Sequence, residues 1–305
     1  MTSTPYRPAT APLFTALDAR RDGWSAQKLA DKVRSGEIMR IAKGCYVGMT
    51  EFRALHPEQR HVLRVEATLP TFSFPVVASH YSALALHDIP IWGADLSRIH
   101  FARVDAGERY SRRGVAVHPS YGPRELVVIE GLRAVHPTIA VLGTAMVCGI
   151  ESGVVAADGA LASGLTTIDH LHEWLDRMAG FPKVSRAWRA VELAEPRTES
   201  PGESRTRLVL NSLDLGPVRP QVEIYDESGA FVGRVDFLLP RHRLIVEFDG
   251  LMKYGPDDAR EAIIAEKVRE DQLRALGYGV ARVVWRDLGV AGRIEAKVRR
   301  ARLGR

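Results

Sequence analysis

The chain has 305 residues, 46% hydrophobic and 26% charged, with a formal net charge of +5 and a pI near 9.3. That length exceeds one typical core and suits two or three domains, and the composition is that of an ordinary globular protein. The basic excess suits a partner that carries phosphates. The two cysteines, Cys45 and Cys148, are far apart, which excludes a disulfide framework and a cysteine-ligated metal and fits a reducing cytoplasm. The opening residues have no basic region followed by an apolar run, so no signal peptide is expected. The longest apolar stretch, around Ile139 to Ile150, is too short to span a bilayer, so no membrane partner is expected either. The ten histidines are scattered and form no His-x-x-x-His pattern, which argues against zinc.

Leu13, Phe14 and Leu17 mark a first short helix. Gly23-Trp24 turns the chain, and Ser25 is a good N-cap for a helix that Gly36 ends. Glu37 to Ile41 and Gly44 to Val47 read as a hairpin with Lys43-Gly44 near its turn. Helix, turn, helix and hairpin follow the order of a winged helix-turn-helix. Lys28, Lys32 and Arg34 on the second helix, with Arg40 and Lys43 on the wing, stand where DNA phosphates require them. The bland alternative for these charges is a solvated helix face.

Residues 51 to 69 read as a helix, and so does Ser79 to His87. Ile99 to Val104 and Gly114 to Pro119 read as strands, and Leu132 to Val135 as a strand that enters a helix at Pro137. Val154 to Leu161 and Ile168 to Met178 are further helices, the latter capped by Thr167. His80 and His87 share a helical face but lack an evident third ligand, so they read as core or surface residues. Glu195 to Gly202 clusters proline, glycine and charge and marks a boundary. The predicted domains are therefore 1–50, 51–195 and 199–305.

The last domain reads as helix (Ser200 to Leu213), a three-strand meander (Val222 to Tyr225, Phe231 to Leu239, Leu244 to Phe248), helix (Glu261 to Leu276) and strand (Val280 to Trp285). The basic segment beyond, from Arg293 to Arg305, reads as a solvated helix or tail. Asp236, Glu247 and Asp249 interrupt runs that otherwise read as buried strands. A buried carboxylate costs several kcal/mol unless it is paired, protonated or metal-bound. Alternation puts Glu247 and Asp249 on one face, and Asp236 can approach them from the adjacent strand. Clustered carboxylates favour a hard cation, Mg²⁺ or Mn²⁺. Asp249-Gly250 is also an ordinary strand-ending turn. Ser200, Pro201 and Glu203 form a capping-box signature, and Lys267 has Asp271 one helical turn away as an ordinary partner.

These residues carry a resemblance. Glu203, Val235-Asp236-Phe237, Glu247-Phe-Asp249-Gly250, Lys267 to Asp271 and Val283-Val-Trp285-Arg286 resemble the PD-(D/E)XK nuclease superfamily, and more closely the domain related to very-short-patch-repair endonucleases. The resemblance covers roughly residues 199 to 290. It implies that Asp236 and Glu247 hold the metal. The superfamily's lysine two residues after the second acid is absent, because Asp249 stands there, so Lys267 or Lys253 would substitute. In the front half, Gly36 to Tyr46, Val77 to Ala83, Pro137-Thr138 and Ala156 to Leu161 resemble AbiEi-type antitoxin proteins, which implies operator-DNA binding and a toxin partner.

The expected fold class is multidomain α/β: a winged helix-turn-helix, an α/β middle domain, and a restriction-endonuclease-like mixed sheet flanked by helices. The expected function is a Mg²⁺- or Mn²⁺-dependent DNA endonuclease in phage defence or a toxin–antitoxin setting. The expected catalytic residues are Asp236, Glu247, Asp249, Lys267 and Glu203, with Asp236 and Glu247 as metal ligands. Double-stranded DNA is the expected partner, contacted by Lys28, Lys32, Arg34, Arg40, Lys43 and Lys253. The alternative is an antitoxin-type transcriptional regulator whose nuclease fold is inactive.

Overall fold

The computed structural model describes residues 13–122, 125–250 and 259–303, so the expectations for Lys253 and Arg305 lie outside the described residues. The described residues form a mixed α/β protein with three β-sheets and 13 α-helices. None of these helices is long and apolar enough to cross a membrane. The chain divides into two compact units. One takes in the residues up to Ala156 together with Leu165–Arg189, and the other Ala157–Gly164 together with the chain from Ala190 onward.

The first unit opens with β1 (Phe14–Thr15), α1 (Ala16–Arg21), α2 (Ala26–Ser35), β2 (Ile38–Ala42) and β3 (Cys45–Gly48). The three strands form an antiparallel sheet in the order β1-β3-β2. Phe14 was expected to begin a helix, but it pairs with Tyr46 across the sheet and stacks on its ring at 5.7 Å. Thr15 then caps α1: its hydroxyl accepts from the Asp18 N–H, while the Asp18 carboxylate accepts from the Thr15 backbone N–H at 2.8 Å. Ser25 caps α2, and Gly36 closes it in the left-handed conformation that a side chain would strain.

Next come α3 (Met49–Ala54), α4 (Pro57–Thr68), β4 (Val76–Ala78), α5 (His80–Leu86), β5 (Ile99–Arg103), β6 (Tyr110–Arg112), β7 (Val115–His118), β8 (Leu126–Ile129) and β9 (Leu132–Val135). The helix expected over 51–69 breaks at Leu55-His56, because Pro57 disfavours helix in the residue before it and begins a new one. A six-stranded sheet forms in the order β6-β7-β5-β4-β9-β8, with β5/β7 and β4/β9 parallel. The helices α6 (Pro137–Cys148), α7 (Ile150–Ala162), α8 (Ile168–Arg177) and α9 (Val184–Glu192) follow. Thr167 caps α8 through the His170 N–H.

The second unit contains α10 (Pro201–Ser212), β10 (Arg219–Tyr225), β11 (Phe231–Leu239), β12 (Leu244–Asp249), α11 (Ala259–Ala275), β13 (Gly279–Val284), α12 (Trp285–Leu288) and α13 (Arg293–Leu303). Its sheet runs β10-β11-β12-β13, antiparallel except for β12/β13. A parallel pair needs a crossover, and α11 lies in that connection. Alternate residues of β12 feed two cores. Leu244, Val246 and Phe248 pack with Leu210 of α10 and with Ile294 and Val298 of α13, while Ile245 packs with Leu273 of α11. Helices therefore cover both faces of the sheet. The C-terminal basic segment is thus not simply solvated, since Ile294 and Val298 of α13 are buried while its arginines face outward. Gly202 is required by contact: a Cβ there would lie 2.0 Å from the Phe248 ring.

One ion pair in the second unit is fully interior. Arg207 of α10 donates to Asp158 at 2.7 Å, with side-chain exposures of 6% and 1%. Asp158 also accepts from the Glu195 N–H, and Arg207 donates to the Leu193 carbonyl, each at 2.7 Å. Removing one member leaves a buried charge uncompensated. Asp158→Ala is expected to cost ~3–5 kcal/mol, read from the shift in the chemical-denaturation midpoint, with Arg207→Met/Asp158→Ala recovering part of the loss.

Candidate functional site

A cleft of about 780 Å³ opens in the second unit, lined by Glu203, Asp236, Glu247, Asp249 and Lys267 together with Arg269 and Arg282. Five residues singled out in the sequence thus share one surface, although they come from α10, β11, β12 and α11.

Their bonding is specific. β11 and β12 pair from Leu239↔Leu244 to Phe237↔Val246, and the ladder stops there. Val235 and Phe237 then pack in different cores, so the alternation of β11 breaks at Asp236. The half-buried Asp236 carboxylate takes over as acceptor: its Oδ2 receives the Phe248 N–H at 2.7 Å. This bond gives the Asp236 carboxylate a structural role within the strand.

Glu247 is 8% exposed. Its Oε1 accepts from Arg269 Nη2 at 2.8 Å, and the same nitrogen reaches Glu266 at 2.8 Å. Burial pushes the Glu247 carboxyl above its ordinary range, and Arg269 offsets only part of that. Burial also works against the Arg269 charge, but its bonds to Glu266 and Glu247 outweigh the cost and hold the guanidinium above its normal value. Arg282 extends the network to Glu270 at 2.9 Å. Sequence reasoning missed Arg269 and settled on Lys267 two residues earlier. Glu266 and Arg269 at helical spacing were the available signal.

Glu203 is buried, and its carboxylate accepts three hydrogen bonds: from the Ser200 hydroxyl at 2.8 Å, the Glu199 N–H at 3.1 Å and Gln221 Nε2 at 2.9 Å. The Ser200 hydroxyl accepts in turn from the Glu203 N–H. The expected capping box therefore forms, shifted so that the acid reaches the backbone of Glu199. Lys267 is exposed, and among the described residues it makes no ion pair with Asp271. Among the described residues, no three carboxylates here bring ligand oxygens mutually within 4.8 Å.

In the first unit, Lys28 and Lys32 lie over the Trp24 ring at 5.5 and 5.3 Å. Lys32 pairs with Glu37, and Arg34 with Asp31 at 2.9 Å. Lys28, Arg40 and Lys43 are exposed. Two of the three cations expected on α2 therefore have acidic partners close in sequence.

A second constellation was not anticipated. His80, His100 and His118 come from α5, β5 and β7, and one ring nitrogen of each lies within 4.8 Å of the others. The expectation that His80 lacks companion ligands is thus corrected: parallel pairing of β5 and β7 carries His100 and His118 to it. His87, paired with His80 in the sequence reading, is not one of the three and bonds the Val135 carbonyl at 3.0 Å. His61 joins the network through Ser82, whose hydroxyl also receives the His100 backbone N–H.

Burial, with Arg109 adding, holds His118 down to about 4. Burial and the neighbouring His118 bring His100 to about 3. Burial brings His61 to about 4 and leaves His80 well below its usual value. The unfolded chain therefore takes up protons that the folded one refuses. The stability these groups contribute is complete above about 6.5 and is lost as pH falls through about 4. Calorimetry on the whole chain is expected to show a melting midpoint that declines steadily from pH 7 to pH 4, and a flat midpoint over that range would contradict the neutral cluster. No known family model matches this chain, and no curated protein matches it either.

Proposed function

We propose that the second unit is a metal-dependent DNA endonuclease and that residues 14–48 form a winged helix that binds duplex DNA. The observation that carries this reading is the convergence of Glu203, Asp236, Glu247, Asp249 and Lys267 on one cleft. The helix, three-strand, helix, strand order of that unit accords with a PD-(D/E)XK-like domain. Covalent linkage to a DNA-binding segment raises the concentration of DNA at the cleft without any new contact there. On this reading the protein acts in the cytoplasm.

The donor set suits Mg²⁺ or Mn²⁺. Such ions take one or two carboxylates and fill their remaining positions with water and phosphate oxygens, so Asp236 and Glu247 suffice as protein ligands. When bound, the ion would supply Lewis-acid stabilisation and an activated water. The chain's own groups do the rest. Asp236 is held in place by the Phe248 N–H, which fixes the carboxylate before DNA arrives. Arg269 neutralises Glu247 in the resting protein. Once released, its guanidinium can bind a phosphate oxygen in a bidentate bond. Lys267, in place of the lysine that Asp249 displaces, can steady charge that develops on the phosphorane. Glu203 acts through Gln221 and the α10 N-terminus as a positioning residue.

A second reading, a DNA-binding antitoxin-type regulator with a toxin partner, is favoured by one observation: Arg269 supplies the buried Glu247 with a counter-charge from within the chain. Plasmid nicking separates the two. Asp236→Asn is well suited because an amide oxygen can still accept from the Phe248 N–H and so spare the fold. With Mn²⁺ or Mg²⁺ the wild type is expected to nick supercoiled plasmid, and Asp236→Asn to lose at least a hundredfold of that rate. A folded wild type that shifts duplex DNA in a salt-dependent manner, but never cleaves, supports the regulator.

A further inference from the structure

The first unit contains a cavity of about 730 Å³ whose wall carries His80, His100 and His118. We propose that these three histidines form a binding site for a zinc-class divalent cation, with one coordination position open to the cavity.

The three side chains are held for this task. His80 sits at φ +52°, a left-handed conformation that is unusual for a residue with a side chain. Such strain persists only where the surroundings impose it. Gly143 contributes, since a Cβ there would lie 2.9 Å from the His80 ring. The Ser79 hydroxyl lies 2.8 Å from His80 Nδ1, which leaves Nε2 as the nitrogen available for a metal. A polar partner on the far nitrogen is the usual support of a metal-bound histidine. The His80 and His118 rings stack at 3.7 Å, and the His100 ring lies 5.1 and 5.0 Å from them, so binding one ion turns the stacked pair apart until each ring presents its nitrogen edge.

The donor set selects the ion. Three imidazoles and no carboxylate suit zinc and its borderline neighbours, not Mg²⁺. His100 Nδ1 and His118 Nε2 now share a hydrogen bond of 2.8 Å. Two nitrogens on one tetrahedral zinc, with bonds of about 2.0–2.1 Å, stand about 3.3 Å apart. Replacing the shared proton by the ion thus asks for roughly half an ångström of separation, which small ring rotations provide. Arg98 and Arg109 bear on the same histidines. Their charge disfavours a bare dication, so the open position takes an anionic ligand, such as hydroxide, that offsets it. A purely structural reading makes the cluster a polar core whose hydrogen bonds are its whole purpose, and it predicts no metal.

The test uses the tag-free full chain, dialysed with Zn²⁺ in excess Mg²⁺ and then with Co²⁺ as a visible probe. The wild type is expected to retain one Zn²⁺ per chain and to give a Co²⁺ ligand-field band. His118→Gln is expected to lose the band and to bind Zn²⁺ at least a hundredfold more weakly, while Asp236→Asn retains both. A folded wild type that dialyses free of Zn²⁺ and gives no Co²⁺ band overturns the site. So does stoichiometric binding that survives His118→Gln or disappears with Asp236→Asn. Should His118→Gln fail to fold, the wild-type Co²⁺ band decides alone.

Discussion

Glu247 occupies a strand whose neighbours Ile245, Val246 and Phe248 are all buried, and Arg269 is what makes a carboxylate tolerable there. A carboxylate without its counter-charge in such a place costs several kcal/mol. The rest of the cleft follows from meeting that demand. Glu266 holds Arg269 from the next helical turn, Arg282 of the adjacent parallel strand holds Glu266, and Glu270 holds Arg282. The sheet and α11 are thereby joined by charge as well as by Leu273. Such a network repays its desolvation only when its members satisfy one another.

Beside this network, Asp236 marks the place where two strands part. Its side chain replaces a backbone acceptor, so the fork is capped and not left raw. The same carboxylate thus has a structural bond and a position on the cleft. On the proposed reading, stability and chemistry draw on one residue, and a conservative amide is the substitution that can separate them. The first unit shows a different solution to the burial of polar groups. It uses imidazoles, which lose their charge when buried, and links His61, Ser82, His100, His118, His80 and Ser79 by hydrogen bonds and ring contacts. Oxygen donors in one unit and nitrogen donors in the other suit cations of different hardness.

Local signals in the chain proved dependable where the physics is local. Ser25, Gly36, Thr167 and Ser200 each cap the helix their identity announces. The acids of β11 and β12 stood out because charge in a buried strand is rare, and they do share a cleft. What depended on distant pairing was not readable. β4, β6 and β8 are three or four residues long, too short for alternation to show. The histidines gave no spacing pattern, since parallel pairing of β5 with β7, which β6 separates only in sequence, is what assembles them. Arg269 looked like one more charge on an amphipathic helix until the register of β12 set Glu247 against it.

The central claim is that the carboxylates of the second unit take a hard divalent cation in exchange for the Arg269 contact. A crystal structure grown with Mn²⁺, with anomalous differences collected at the manganese edge, tests it most directly. The account predicts a peak bridging Asp236 and Glu247, with Arg269 withdrawn from Glu247. An empty cleft at saturating Mn²⁺, with the Glu247–Arg269 pair intact, would contradict it.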